Sequence, residues 1–359
     1  MHVATIDLAT ALNLRQQGAL LVDVRAPAEF AEATIPGAVN IPIFSDTERA
    51  EVGTVYKQQG KAAARQLGVE LVAPKIPQMV AAVRAAAVGR SGPVIVFCWR
   101  GGMRSQAMTA FFELAGLPAR QLEGGHKGFR RRVLDDLNTG LWGRVLVLRG
   151  LTGVGKTLML NRLGAEGYPV IDLEGLAHHR GSAFGNLGLP AQPGQKLFEA
   201  RLWDALRQLP ACGYILVEGE SRHIGRLQVP DTLFSAMQLE PSLWLEASLA
   251  ARVRCILDDY PALDAARTAF ERPIIALKER LGAAKVDELL ALLQSGAWED
   301  LVRELMVNYY DPLYEHTRPA QRIEIDITEP QSAVEPLRQA IATLLAQPAP
   351  VAAQLQEGL

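Results

Sequence analysis

Residues 150–157 read GLTGVGKT: a glycine, four further residues, then Gly155, Lys156 and Thr157. The apolar run RVLVL (144–148) leads into this segment, and TLMLNRLG (157–164), which has the composition of a helix, leads out of it. Strand, glycine-rich turn and helix in that order form the context in which such a segment binds phosphate, and they commit the flanking chain to α/β layers. Gly150, Gly153 and Gly155 bare backbone N–H groups to phosphate oxygens, Lys156 adds a point charge, and the Thr157 hydroxyl can ligate Mg2+. The motif specifies a phosphate and leaves the organic half of the ligand open.

A chain of 359 residues exceeds one usual core and predicts two domains. Short apolar runs, ALLVDV (19–24), PVIVF (93–97), YPVIDL, YILVEGE and SLWLEAS, alternate with stretches of helical spacing such as 76–88 and 103–116, so the fold class expected is α/β throughout. NTGLWG (138–143) reads as a linker between a domain at 8–137 and a second at 144–346. The second is expected to carry a nearly all-helical segment from about 248 to 310, with RIEIDI (322–327) as a late strand and 347–359 as a loose tail. Three cysteines without paired spacing give neither a disulfide framework nor a zinc signature. MHVATIDLAT lacks the basic and apolar regions of an export signal, and no run is long enough to span a bilayer, so a cytoplasmic protein without membrane partners is expected. The net charge of −2 means that any polyanion must be held by local patches, for which FRRR (129–132) and SRHIGR (221–226, with Arg222) are the candidates. Taken alone, either patch reads first as a solvated arginine face.

A second loop draws as much attention. FCWRGGMRSQAM (97–108) places Cys98 at the end of an apolar run, then two arginines and two glycines, then residues that suit a helix. A loop in that position has convergent N–H groups and the positive end of a helix dipole, which favours an anion. With Arg100 and Arg104 adding fixed charge, Cys98 is expected to be a nucleophile. Cys212 and Cys255 have no such setting and read as inert.

LLVDVRAPAEF (20–30), TIPGAVNIP (34–42), the Cys98 loop and LEGGHKGFR (122–130) are similar, in order and spacing, to the signature stretches of rhodanese domains. The resemblance implies a rhodanese-like fold whose loop cysteine carries sulfur or selenium. The loop is one residue longer than the usual rhodanese form, because Cys98 and Arg104 enclose five residues as in cysteine-dependent phosphatases, and a phosphatase reading stays open.

Beyond the two loops, DLEGLAHHRGSAFGNLG (172–188) reads as a loop after a strand and concentrates Asp172, Glu174, His178, His179 and Arg180. Such loops build sites in α/β folds. Arg180 and Ser182 are candidates for substrate contact, whereas adjacent histidines point apart and do not suggest a metal pair. Glu218 and Glu220, at the end of YILV, stand where an acidic partner of a metal or water would, or where a strand end carries solvated acids.

Rhodanese module, linker, P-loop module with HHRGSAFG and helical segment together resemble the family of tRNA 2-selenouridine synthases over residues 8–345. The resemblance implies a monomeric transferase acting at the wobble uridine of tRNA-Lys, tRNA-Glu and tRNA-Gln, with no tightly bound cofactor. Its implied substrates are geranyl diphosphate, which alkylates the 2-thio sulfur, and selenophosphate, whose selenium then replaces the geranylated sulfur. Cys98, with Arg100 and Arg104, would handle the selenium, directly or as a perselenide. The P-loop would grip the diphosphate, because the aspartate signature of prenyl synthases is missing: Asp258 and Asp259 are followed by Ala262 where a third aspartate is needed. A sulfurtransferase or cysteine phosphatase fused to an ATP-using domain is the rival enzyme; a rhodanese module switched by a nucleotide is the rival without chemistry.

Overall fold

The computed structural model describes residues 3–210, 212–260, 263–264, 267–315, 318–329 and 333–350. Contacts divide the chain into Met1–Asp136 with Gly194–Asp204, and Leu137–Pro193 with Ala205–Leu359. The sequence reading ran the second domain from 144 to 346; by contact, Gly194–Asp204 group with the first unit. The expected tail lies mostly in 351–359, outside the described residues.

The first unit is built on a five-stranded sheet of β1 (Thr5–Ile6), β2 (Leu21–Asp23), β3 (Val39–Asn40), β4 (Val94–Phe97) and β5 (Ala119–Leu122), in the order β1-β5-β4-β2-β3. Every pairing is parallel. All four residues of β4 are buried, which is why PVIVF reads as a continuous apolar run rather than an alternating one. A 27-residue helix, Asp46–Val72, opens with a capping box in which Ser45 Oγ accepts from the Glu48 N–H and Glu48 accepts from the Ser45 N–H. Gly60 interrupts that helix with φ 88° and ψ −178°, a conformation open to glycine alone. From the later sequence, Trp203 meets Phe129 edge-to-face and its indole N–H donates to Asp136 at 2.8 Å.

The second unit repeats the architecture. Its sheet joins β6 (Arg144–Gly150), β7 (Val170–Ile171), β8 (Tyr214–Glu218), β11 (Ser242–Glu246) and β12 (Arg322–Asp326) in the order β12-β11-β6-β8-β7, again all parallel. Strands β9 (His223–Ile224) and β10 (Leu227–Gln228) form a separate antiparallel hairpin. Helices Lys156–Ala165 and Val334–Ala346 cover the sheet with Leu160, Leu163, Leu337 and Ile341. The expected helical segment runs from Leu249 to Glu315 around its own core of Phe270, Ile274, Leu289 and Leu293. Among the described residues no helix is long and apolar enough to cross a membrane.

One local expectation is corrected. DLEGLA is not a loop but the short helix Leu173–Ala177, because the Asp172 carboxylate accepts from the Gly175 N–H at 2.7 Å and caps it.

Candidate active site

In the first unit, Cys98 follows directly on β4, the middle strand of the sheet, and is buried. Its sulfur receives the Gly102 N–H at 3.3 Å and lies 3.2 Å from Ser105 Oγ. The buried Gln121 amide latches the loop from β5, donating to the Gly101 carbonyl at 2.8 Å and to Ser105 Oγ at 2.9 Å. The LEGG stretch packs so tightly behind the loop that a Cβ on Gly125 would stand 2.3 Å from the Cys98 carbonyl oxygen and 2.5 Å from the Gly101 nitrogen. With φ +54° as well, only glycine is accommodated at 125.

Arg104 turns its guanidinium to Glu29, 2.8 Å away, and this neighbour holds the Glu29 carboxyl below its usual range against the opposing effect of burial. Arg100 stays exposed. Asp23 and Arg25 form a buried pair, and Arg25 also donates to the Ala33 carbonyl, so the DVR of the first signature stretch is a brace. His126, whose N–H donates to the Cys98 carbonyl at 2.9 Å, is held neutral: burial, then the charges of Arg25, Arg130 and Lys196, pushes its imidazole down to about 3. Of the FRRR cluster, Arg130 pairs with Glu199 and Arg132 with Asp136, leaving Arg131 exposed. The cluster is therefore not one free basic face.

In the second unit the P-loop follows β6, again the middle strand. Gly150, Gly153 and Gly155 adopt φ values of 153°, 75° and 89°. A Cβ on Gly153 would meet Met306 at 2.7 Å and the Arg252 carbonyl at 2.8 Å, so the helical segment presses directly on the loop. Arg252 clamps it: Nε donates to the Thr152 carbonyl at 2.9 Å while both terminal nitrogens grip Asp311.

Lys156, Thr157, Glu174, Arg180, Ser182 and Glu220 line one polar cleft of about 90 Å³. The Thr157 hydroxyl donates to Glu174 at 3.1 Å, and the Glu174 N–H donates to Glu218 at 2.6 Å. Burial raises all three carboxyls, Glu174, Glu218 and Glu220; Asp172 and Glu174 add to it at Glu218 and Glu174 adds to it at Glu220, whereas Lys156 opposes it at Glu174 and Glu220, and the hydrogen bonds of Glu174 to Glu220 and Thr157 oppose it at Glu174. Glu218 sits behind the cleft with Oε2 buried and unpartnered. Arg180 lies 4.3 Å over the Tyr260 ring and donates to the carbonyls of Leu187 and Asp259, which fixes its place on the wall. Asp172 serves as the helix cap, and Arg222 lies on the exposed hairpin side facing Asp231 and Phe234; neither lines the cleft. A smaller apolar compartment of about 60 Å³, floored by Phe184, Phe270 and Trp298, shares Thr152, Ser182 and Tyr260 with the cleft. Among the described residues no three His, Cys, Asp or Glu side chains are grouped to hold a metal ion.

Comparison with known proteins supplies the frame for these two loops. Residues 7–132 match the rhodanese-like domain family, and residues 143–343 match the family described as the tRNA 2-selenouridine synthase AAA domain. The tRNA 2-selenouridine synthase of Bdellovibrio bacteriovorus is 37% identical over 342 residues, covering 84% of this chain and 89% of the relative. That of Cupriavidus necator is 36% identical over 363 residues, covering 91% and 96%. The chain belongs to the tRNA 2-selenouridine synthase family. For a member of that family, the residues hardest to find from sequence are those that reach a loop from elsewhere. Glu174 is one of the charged residues that the sequence gathers in 172–188, though no role is legible for it there, while Gln121, Glu29, Arg252 and Asp311 act from segments whose local pattern marks them only as strand or helix.

Proposed function

We propose that this chain converts 2-thiouridine at the tRNA wobble position to 2-selenouridine in two steps, one at each loop. In the first, the 2-thio sulfur attacks the first carbon of geranyl diphosphate, the carbon–oxygen bond breaks, diphosphate leaves with the electron pair, and the base loses its N3 proton. The P-loop N–H groups and Lys156 stabilise the charge that grows on the diphosphate, the kind of preorganised contact that contributes most to such transfers. Thr157 and Glu174, in contact at 3.1 Å, are the residues that would hold a Mg2+, and such an ion would neutralise part of the same charge. Arg180 and Ser182 orient the substrate at the cleft wall.

S-alkylation makes C2 electrophilic and turns sulfur into a leaving group. In the second step selenium from selenophosphate, held at the Cys98 loop with Arg100 and Arg104 as its counter-charges, adds to C2. The C2–S bond breaks, geranyl thiol departs with a proton, and water takes up the phosphoryl group. The observation that carries this reading is the presence, in one chain of this family, of a thiol loop and a diphosphate-sized polar cleft with an apolar annex. The test is mass spectrometry of nucleosides from 2-thiouridine tRNA incubated with geranyl diphosphate alone and then with selenophosphate. S-geranyl-2-thiouridine followed by 2-selenouridine is expected, with no nucleotide added. A strict ATP requirement for the first product would favour the nucleotide-using alternative.

A further inference from the structure

One large cavity belongs to neither loop. It lies in the first unit between the Gly60-broken helix Asp46–Val72 and the helix Met103–Leu114, and encloses about 830 Å³, within the ~300–1,000 Å³ range of sites that take small ligands. Its interior is apolar, with Phe44, Val72, Ile76, Ala107 and Phe111 facing it. Tyr56, Val69 and Met103, three of the large apolar side chains that stand most in solvent, form part of its wall at 58%, 66% and 49% exposure. Such a collection of apolar surface is not what a self-sufficient domain leaves open.

The charge around the cavity is one-sided. Arg49, Lys57, Lys61, Arg65 and Arg104 line it, and no aspartate or glutamate does. Arg49 and Arg104 share Glu29, and the Arg65 guanidinium meets the Met103 sulfur, but Lys57 and Lys61 make no ion pair with any described residue. An apolar interior ringed by cations suits an apolar chain attached to a polyanion and suits neither an acyl chain alone nor an acidic peptide without a greasy anchor. Position narrows this further. Met103 and Arg104 open the helix that follows the Cys98 loop, and Gly102, one residue earlier, donates its N–H to the Cys98 sulfur. A chain lodged here has its point of attachment beside that loop.

We propose that this cavity holds the apolar chain of an S-alkylated nucleotide within RNA while its base meets the Cys98 loop; naming the chain geranyl rests on the function proposed above. The chain then anchors the intermediate at the step that expels it, and the free lysines steer the RNA backbone at the mouth.

The experiment measures binding of the full chain to two synthetic anticodon stem-loops, one with S-geranyl-2-thiouridine and one with S-methyl-2-thiouridine. The geranyl RNA is expected to bind roughly 50-fold more tightly, the weight of about three buried methylene groups. Val69→Glu, at a solvent-exposed wall position where folding is not at stake, should bring the ratio below about 5-fold, whereas Val69→Leu should preserve it. Equal binding of both RNAs by the native chain, or a ratio untouched by Val69→Glu, would overturn the proposal. So would displacement of the geranyl RNA by free geranyl diphosphate at a matching concentration, since that would make the cavity a donor site. Because the RNAs are made chemically, failure of the chain to geranylate tRNA would defeat the proposed reaction and leave this binding result standing on its own.

Discussion

The Cys98 loop and the P-loop are the same piece of backbone used twice. Each leaves the carboxyl end of the middle strand of a five-stranded parallel sheet, each turns on a glycine where a Cβ would clash, Gly101 in the first and Gly153 in the second, and each runs into a helix. They differ in what the turn presents and in how it is held. The first presents a thiol, is latched by the neutral Gln121 amide and has the neutral His126 beside it. The second presents a lysine and a hydroxyl, is clamped by the Arg252–Asp311 pair, and faces three carboxyls raised by burial. Strand-to-helix turns of this kind favour anions, and on the function proposed above the side chain at the turn decides whether the loop delivers a nucleophile or accepts a leaving group.

If that division is right, the loops can be disabled one at a time. Lys156→Ala should slow geranylation by roughly a hundredfold or more, as for loss of one preorganised charge contact, and leave conversion of pre-geranylated tRNA intact. Equal slowing of both steps, read by single-turnover analysis of the nucleosides, would break the comparison.

The two latches should also differ in weight. Arg252→Ala strands Asp311 and frees the Thr152 carbonyl; Asp311 keeps some solvent contact, so a cost of about 2 kcal/mol is expected, below the full penalty for breaking a fully buried pair. Gln121→Ala removes a neutral latch and should cost about 1 kcal/mol, with its functional effect confined to selenation. Denaturant unfolding of the two variants checks the order, and a reversed order would mean that the amide, not the ion pair, is the stronger anchor.

The smallest effect concerns pH. Glu218 is raised by burial first, then by the charges of Asp172 and Glu174, so the folded chain keeps a proton that the unfolded carboxyl releases above about 4.3. The stability this supplies is complete below that value and is lost as pH rises toward the folded value. Glu218→Gln should therefore unfold at a higher temperature than the native chain at pH 8, and the difference should shrink as pH falls toward 4. A pH-independent difference would place the native carboxyl in its ordinary range.

Both loops were legible in the sequence because each is contiguous: strand, glycines and functional side chain fall within a dozen residues. What surrounds them was not. Gln121 and Arg252 reach their loops across the fold, and nothing in ARQLEGG or in the helix Leu249–Asp259 announces a latch. The helix at 173–177 was hidden by its brevity, although Asp172 three residues before Gly175 is the signal that would have revealed it. The helix Asp46–Val72 carries no apolar stripe to read, since only Ala64 and Val72 along it are buried and much of its length borders the cavity.

The central claim, that the two loops divide two reactions, is tested most directly by Cys98→Ala. Thiolated tRNA is incubated with this variant, geranyl diphosphate and selenophosphate together, and its nucleosides are weighed. The account predicts that S-geranyl-2-thiouridine accumulates and 2-selenouridine does not form; 2-selenouridine at the native rate, or loss of the geranylated base as well, would contradict it.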